Sequence, residues 1–216
     1  MKAVYYEKYG NISVLKHGDI DDPKKVLDKE VLIKVNFFSL NPLDYKLRNG
    51  MLKLMTFRTF PRTTGSDFSG EIIAKGESVN NFEIGEKVFG FLSQLNEGTS
   101  SQFIKVNESI LSKAPSNIDI GKAAAVPLAA LTSYQALVQL AKIKKGNKVL
   151  INGASGGTGI FAIQIAKIFG AKVTSITSHR NINWMLDTFL VDEAIDYTKE
   201  NSLNNLRKNE YDIIYD

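Results

Sequence analysis

Lys148-Val149-Leu150-Ile151-Asn152-Gly153-Ala154-Ser155-Gly156-Gly157-Thr158-Gly159-Ile160-Phe161-Ala162-Ile163-Gln164-Ile165-Ala166-Lys167 is the stretch on which the architecture turns. A short apolar run ends in a glycine cluster, and the residues beyond it carry helical spacing, so the segment reads strand, loop, helix. In that context missing side chains let the backbone approach a pyrophosphate, and the first N–H groups of the helix supply positive potential. Ala154, Gly156 and Gly159 fall on the G-x-G-x-x-G spacing, with Ala in the first place. Glycines are also selected by turns and tight helix packing. The following Gly170-Ala171-Lys172-Val173, which opens a second strand, favours the dinucleotide reading.

That second strand, Lys172 to Thr177, leads to the position that distinguishes dinucleotides, about 20 residues past the loop, where an acidic side chain would bind an NAD ribose. Here stands Thr177-Ser178-His179-Arg180-Asn181, with hydroxyl, imidazole and guanidinium donors and no carboxylate. Such a set suits a 2′-phosphate, so NADPH is favoured over NADH. The plainer alternative is a solvated loop with Arg180 turned to water. Downstream come a short extended piece near Ala194 to Tyr197 and a last one at Tyr211 to Asp216, fewer strands than the roughly six of a complete sheet of this kind. The expectation is a C-terminally incomplete nucleotide-binding domain, a truncated product being favoured over one whose open edge pairs with another chain.

Upstream, Ile120 to Lys142 is rich in Ala and Leu with helical spacing. Before Ala114 the pattern changes. Short strand-like runs such as Val31-Leu32-Ile33-Lys34-Val35 and Glu71-Ile72-Ile73-Ala74 alternate with glycine turns, which suggests a small closed or partly closed β-barrel. The fold class is therefore α/β with a β-barrel. The turn Ala114-Pro115-Ser116-Asn117 is the expected hinge, giving domains 1–117 and 118–216.

Composition narrows the chemistry. The 216 residues contain no cysteine and only two histidines, His17 and His179, so thiolate zinc sites and a cysteine nucleophile are excluded, and no metal is expected. The net charge of +4 is spread among acidic residues without a basic block, which argues against nucleic acid. No run approaches the roughly 20 apolar residues of a membrane span, and Met1-Lys2-Ala3-Val4-Tyr5-Tyr6 does not read as a secretory leader, so a cytoplasmic location is expected.

Five ordered motifs carry a family resemblance: Asn41-Pro42-Leu43-Asp44-Tyr45, Gly65-Ser66-Asp67-Phe68-Ser69-Gly70, Ala124-Ala125-Val126-Pro127-Leu128, Leu131-Thr132-Ser133-Tyr134 and the glycine loop. They resemble the zinc-free quinone-reductase branch of the medium-chain dehydrogenase/reductase superfamily, which includes zeta-crystallin-like and chloroplast-envelope quinone-reductase-like proteins. The resemblance implies a GroES-like N-terminal barrel domain followed by a Rossmann domain, with the active site in the cleft between them. Zinc-containing members carry Gly-His-Glu where this chain has Gly65-Ser66-Asp67. It therefore implies metal-independent hydride transfer from NADPH to a small apolar carbonyl compound or quinone: a quinone, enone or aldehyde.

By the same resemblance Asn41 and Tyr45 are catalytic candidates, able to donate hydrogen bonds to a developing enolate or hydroquinone oxygen, with Tyr45 the better acid. Structural roles in a turn and in packing compete with that reading. Asp44 and Asp67 look like residues that tie loops together. Thr132 resembles the threonine near the nicotinamide. Ser155, Gly156, Gly157 and Thr158 match the phosphate loop, and Ser178, Arg180 and Tyr197 the adenosine-phosphate end. Gly50 to Pro61, with Met51, Leu52, Leu54, Met55, Phe57 and Phe60, packs on the barrel or walls a substrate pocket. The sequence does not fix the oligomeric state, a homodimer being the candidate. The competing functions are an NADPH-binding module without turnover and a fragment with none.

Overall fold

A computed structural model of the chain describes residues 1–54, 60–93, 97–206 and 210–216. It divides into two compact units, Met1–Leu128 and Ala129–Asp216.

The first unit is mostly antiparallel β. Its strands are β1 (Lys2–Tyr6), β2 (Lys16–Asp19), β3 (Glu30–Ser39), β4 (Arg62–Thr63), β5 (Asp67–Lys75), β6 (Lys87–Phe91), β7 (Phe103–Asn107) and β8 (Leu111–Lys113). A five-stranded sheet runs β7-β3-β5-β6-β8 and a three-stranded one β2-β1-β4. The two are tied where Ala3 bridges Ser101 and the Val4 N–H donates to the Ser100 carbonyl across 2.8 Å, which gives the expected β-barrel half. Alternation makes this possible: Val31 and Ile33 of β3 are buried against Phe68, Ile72, Val88, Ile104 and Val106, while intervening residues face outward. Irregularities in the β3–β5 register at Leu32/Ile33 and Val35/Phe37 bend the long strand. Helix α1 (Pro42–Arg48) follows β3 directly, starting with Pro at its first position, where no N–H is needed.

The Ala-rich segment is not one helix. It forms α2 (Ile120–Ala123), then α3 (Pro127–Tyr134), which continues as a π-helical stretch over Gln135–Leu140. Pro127 lacks an N–H and disfavours helical backbone in Val126, so the chain breaks there and restarts. The segment before the break belongs with the barrel unit: the Ser69 hydroxyl donates to the Ile120 carbonyl (2.6 Å) and the Leu128 N–H donates to Asp67 (2.8 Å).

The second unit is α/β. Strands β9 (Lys148–Ile151), β10 (Lys172–Thr177), β11 (Glu193–Asp196) and β12 (Ile213–Tyr215), with helices α4 (Gly157–Ile168) and α5 (Ile182–Asp187), build a parallel sheet of order β11-β10-β9-β12. In sequence rank that order is three, two, one, four, so the direction of winding reverses between β9 and β12. Val149, Ile151 and Val173 of the sheet pack with Ala162 and Ile163 of α4 and Met185 of α5. Among the described residues no helix is long and apolar enough to cross a membrane.

Candidate functional site

In open parallel sheets a ligand site forms at the carboxyl ends of the strands where the winding reverses. The glycine loop lies there, between β9 and α4. Gly153 adopts φ +63°, a left-handed conformation that glycine takes without steric cost. Its carbonyl accepts from the Gly156 N–H at 2.8 Å, closing the turn. A methyl group on Gly159 would meet the Gly153 carbonyl oxygen at 2.4 Å and the Ala154 oxygen at 2.7 Å, so only glycine lets the helix sit this close to the loop. A methyl on Gly157 would meet nothing within 4 Å. Gly156 caps α4 without a side chain, leaving the first-turn amides to an external acceptor. A bare surface, free amides and a helix of twelve residues fit a pyrophosphate.

Ser155 Oγ accepts from the Thr177 hydroxyl and from the Asn181 amide, each at 2.9 Å. Ser178 lies at the end of β10, and the 3-10 turn His179–Asn181 follows it. Asn181 also donates toward Ser178 Oγ at 3.3 Å. Ser155 and Ser178 are thus brought together through one residue. Arg180 is exposed, and Tyr197, just past β11, is 56% exposed. His179, whose imidazole the sequence offers as a donor for phosphate, has its Nδ1 3.0 Å from Asp196 Oδ2, and its side chain is otherwise largely exposed. Asp196 also accepts from the Thr198 hydroxyl (2.6 Å) and N–H (3.0 Å), and these bonds, the hydroxyl first, hold its carboxyl below the usual range. The stretch Thr177 to Asn181 contains no carboxylate; the neighbouring strand supplies one, because the β10–β11 register sets Thr177 opposite Asp196.

Thr132 lies exposed on α3. Its neighbour Ser133, which the sequence reading did not single out, is buried, with the Ala129 carbonyl at 3.0 Å, the Thr158 carbonyl at 2.8 Å and the Tyr215 hydroxyl at 3.2 Å. Ser133 thereby fastens the first turn of α4, where Thr158 stands.

Asn41 and Tyr45 belong to the first unit, at the start of α1. Asn41 and Asp44 form a capping box. One Asp44 oxygen takes the Asn41 N–H and the other the Gly65 N–H at 3.0 Å. The Asn41 amide donates to Asp67 Oδ2 at 2.8 Å and lies 3.3 Å from Ser39 Oγ, so both its hydrogens face acceptors within the unit. Asp67 is fully buried, and burial pushes its carboxyl above the ordinary range despite donors from Ser39, Asn41 and Leu128. Tyr45 is 45% exposed. Phe60 packs edge-on against Tyr6 and Tyr9, ring centroids 6.0 and 5.3 Å away, while Met51 and Leu54 are exposed; Met55 and Phe57 lie outside the described residues. Among the described residues no three His, Asp or Glu side chains gather as a metal site.

Residues 27–125 match the alcohol dehydrogenase GroES-like domain. The chain is 36% identical over 203 residues to a chloroplastic quinone-oxidoreductase homolog of Spinacia oleracea, covering 91% of this chain and 61% of that protein. It is 33% identical over 223 aligned positions to a chloroplastic NADPH-dependent alkenal/one oxidoreductase of Arabidopsis thaliana, covering all of this chain and 57% of the relative. The solved quinone oxidoreductase of Coxiella burnetii superposes with a TM-score of 0.89 at 35% identity, over all of this chain and 68% of that one. A GroES-like barrel followed by a Rossmann sheet defines a medium-chain dehydrogenase/reductase. The chain belongs to the quinone-oxidoreductase branch of that superfamily. It spans about six tenths of the length of the curated relatives it matches.

Proposed function

We propose that the chain carries the barrel and nucleotide-binding parts of a metal-independent, NADPH-dependent oxidoreductase acting on a small apolar quinone, enone or aldehyde. The observation that carries this reading is the bare glycine loop at the reversal point of the sheet, opening α4 with uncapped amides. Relatives named as quinone and alkenal/one oxidoreductases support the substrate class. The lack of cysteine, and Ser66-Asp67 where zinc-containing members carry His-Glu, support metal independence.

NADPH, when bound, supplies the hydride. Ser155, Gly156, Gly157 and Thr158 hold its pyrophosphate through the loop hydroxyl and helix amides. Ser178, Arg180 and Tyr197 take the adenosine-phosphate end, Arg180 by charge. Thr132 contributes a hydroxyl near the nicotinamide. Tyr45 donates a hydrogen bond to the oxygen on which charge develops, and Asn41, whose amide hydrogens face Asp67 and Ser39, acts by holding the start of α1 in place rather than by donating to that oxygen itself.

Thermal unfolding with NADPH and with NADH tests the cofactor. A ligand at a hundred times its Kd adds about 2.7 kcal/mol, so a clear upward shift is expected with NADPH and a smaller one with NADH. No shift with either sinks the reading. NADPH oxidation across quinones, enones and aldehydes, unchanged by a chelator, tests the rest.

A further inference from the structure

We infer that Asn181 is a positioning residue that sets the direction of two serine hydroxyls and thereby the preference for a phosphorylated nucleotide. The inference rests on the reading that the glycine loop takes NADPH.

A serine hydroxyl has one proton to give and two lone pairs to fill. At Ser155 both lone pairs are occupied, one by the Thr177 hydroxyl and one by the Asn181 amide, each at 2.9 Å. The Ser155 proton meets no acceptor among the described residues. It can only point away from Thr177 and Asn181, and the loop on which it sits is the one that meets phosphate. The same Asn181 nitrogen faces Ser178 Oγ at 3.3 Å, so the two amide hydrogens serve two different serines. Ser178 therefore also keeps its proton for an outside acceptor.

The two serines belong to different segments that meet at one amide nitrogen, so they face neighbouring parts of the proposed cofactor. Ser155 precedes the helix cap Gly156, at the pyrophosphate; Ser178 follows β10, where a 2′-phosphate would lie. Asn181 joins the subsites and makes both hydroxyls donors, which is what a phosphate oxygen requires. With the amide turned over, its oxygen would take both serine protons and leave lone pairs facing the phosphates. Thr177 acts on Ser155 alone.

The two residues thus have separable effects. Dissociation constants for NADPH and NADH are measured by fluorescence titration on the full chain, wild type and variants, together with melting temperature without ligand. Asn181→Ala is expected to weaken NADPH about tenfold and NADH less, narrowing the selectivity ratio, at roughly one charged hydrogen bond's worth. Asn181→Asp, near-isosteric but able only to accept, should cost NADPH more and move the preference toward NADH; it carries the same test if Asn181→Ala does not fold. Thr177→Val should weaken both nucleotides by the same factor and leave the ratio alone. Adding Ser178→Ala to Asn181→Ala should narrow the ratio no further. Equal loss of both nucleotides in the Asn181 variants, or an unchanged ratio, overturns the inference while leaving the cofactor reading standing. Wild-type chain that binds neither nucleotide removes the cofactor reading itself, and the inference with it.

Discussion

The Asn41 amide donates to the buried Asp67 carboxylate across 2.8 Å, joining the start of α1 to the first residue of β5. Asp67 collects two further donors at 2.8 Å, the Ser39 hydroxyl and the Leu128 N–H, so one side chain steadies three segments of the barrel unit.

Those donors do not offset the loss of water, and Asp67 holds its proton more tightly when folded than when unfolded. The sign follows: its contribution to stability is complete below the ordinary carboxylate value of about 3.9 and is lost as pH rises through the higher folded value. Asp67→Asn does not titrate. The stability of wild type relative to this variant should therefore fall between pH 4 and pH 7, as read by denaturant unfolding at both; a rise would refute it.

Asp196 has the opposite sign. Thr198 and His179 hold its carboxyl below the ordinary range, so its contribution is present above the unfolded value and lost as pH falls through the folded one. Denaturant unfolding of Asp196→Asn should show its largest deficit near neutrality, and the deficit should shrink below about pH 4.

Two glycines of one loop should respond differently to the same change. Gly159→Ala drives a methyl into backbone oxygens at 2.4 and 2.7 Å and should destabilise the unit by about 1–3 kcal/mol. Gly157→Ala meets open space in the first turn of α4 and should stabilise by about 0.5–1 kcal/mol in the absence of ligand. The added methyl occupies the proposed phosphate position, so this firmer variant should bind NADPH more weakly. Melting curves with and without nucleotide separate the two effects.

Ser133 can donate to only one carbonyl at a time, and the Tyr215 hydroxyl 3.2 Å away can donate to it in turn. Ser133→Ala strands the buried phenol and should cost about 1–3 kcal/mol, Tyr215→Phe about 1. The double variant should lose less than the sum, because the second change removes a group already stranded. A strictly additive result in denaturant unfolding would show the pair to be independent.

Elements whose signal is local were legible in sequence. The runs Lys148–Ile151 and Lys172–Thr177 form β9 and β10, and the glycine loop sits between strand and helix as its spacing requires. Composition alone concealed the break at Pro127, because alanine and leucine favour helix on both sides of it. The polar links were hidden for another reason. Asn181 meets Ser155 from 26 residues away, and His179 meets Asp196 only because the β10–β11 register brings them side by side. Such pairings depend on strand order and register, which no periodicity encodes. Asn181 stands in the stretch that bears on cofactor choice, but its role depends on which hydroxyls surround it.

The bond between Ser133 and Tyr215 also bears on order in time. It closes 82 residues of chain, and β12, which carries Tyr215, reaches its place beside β9 only after β10 and β11 have been passed. Contacts of long sequence separation form slowly, since the loop must be closed before any bond rewards it. The turn of α4 that Ser133 anchors through Thr158 therefore gains its full support late. A nascent chain emerging in sequence would display the glycine loop well before that loop is held firm, and anything that delays β12 prolongs the interval.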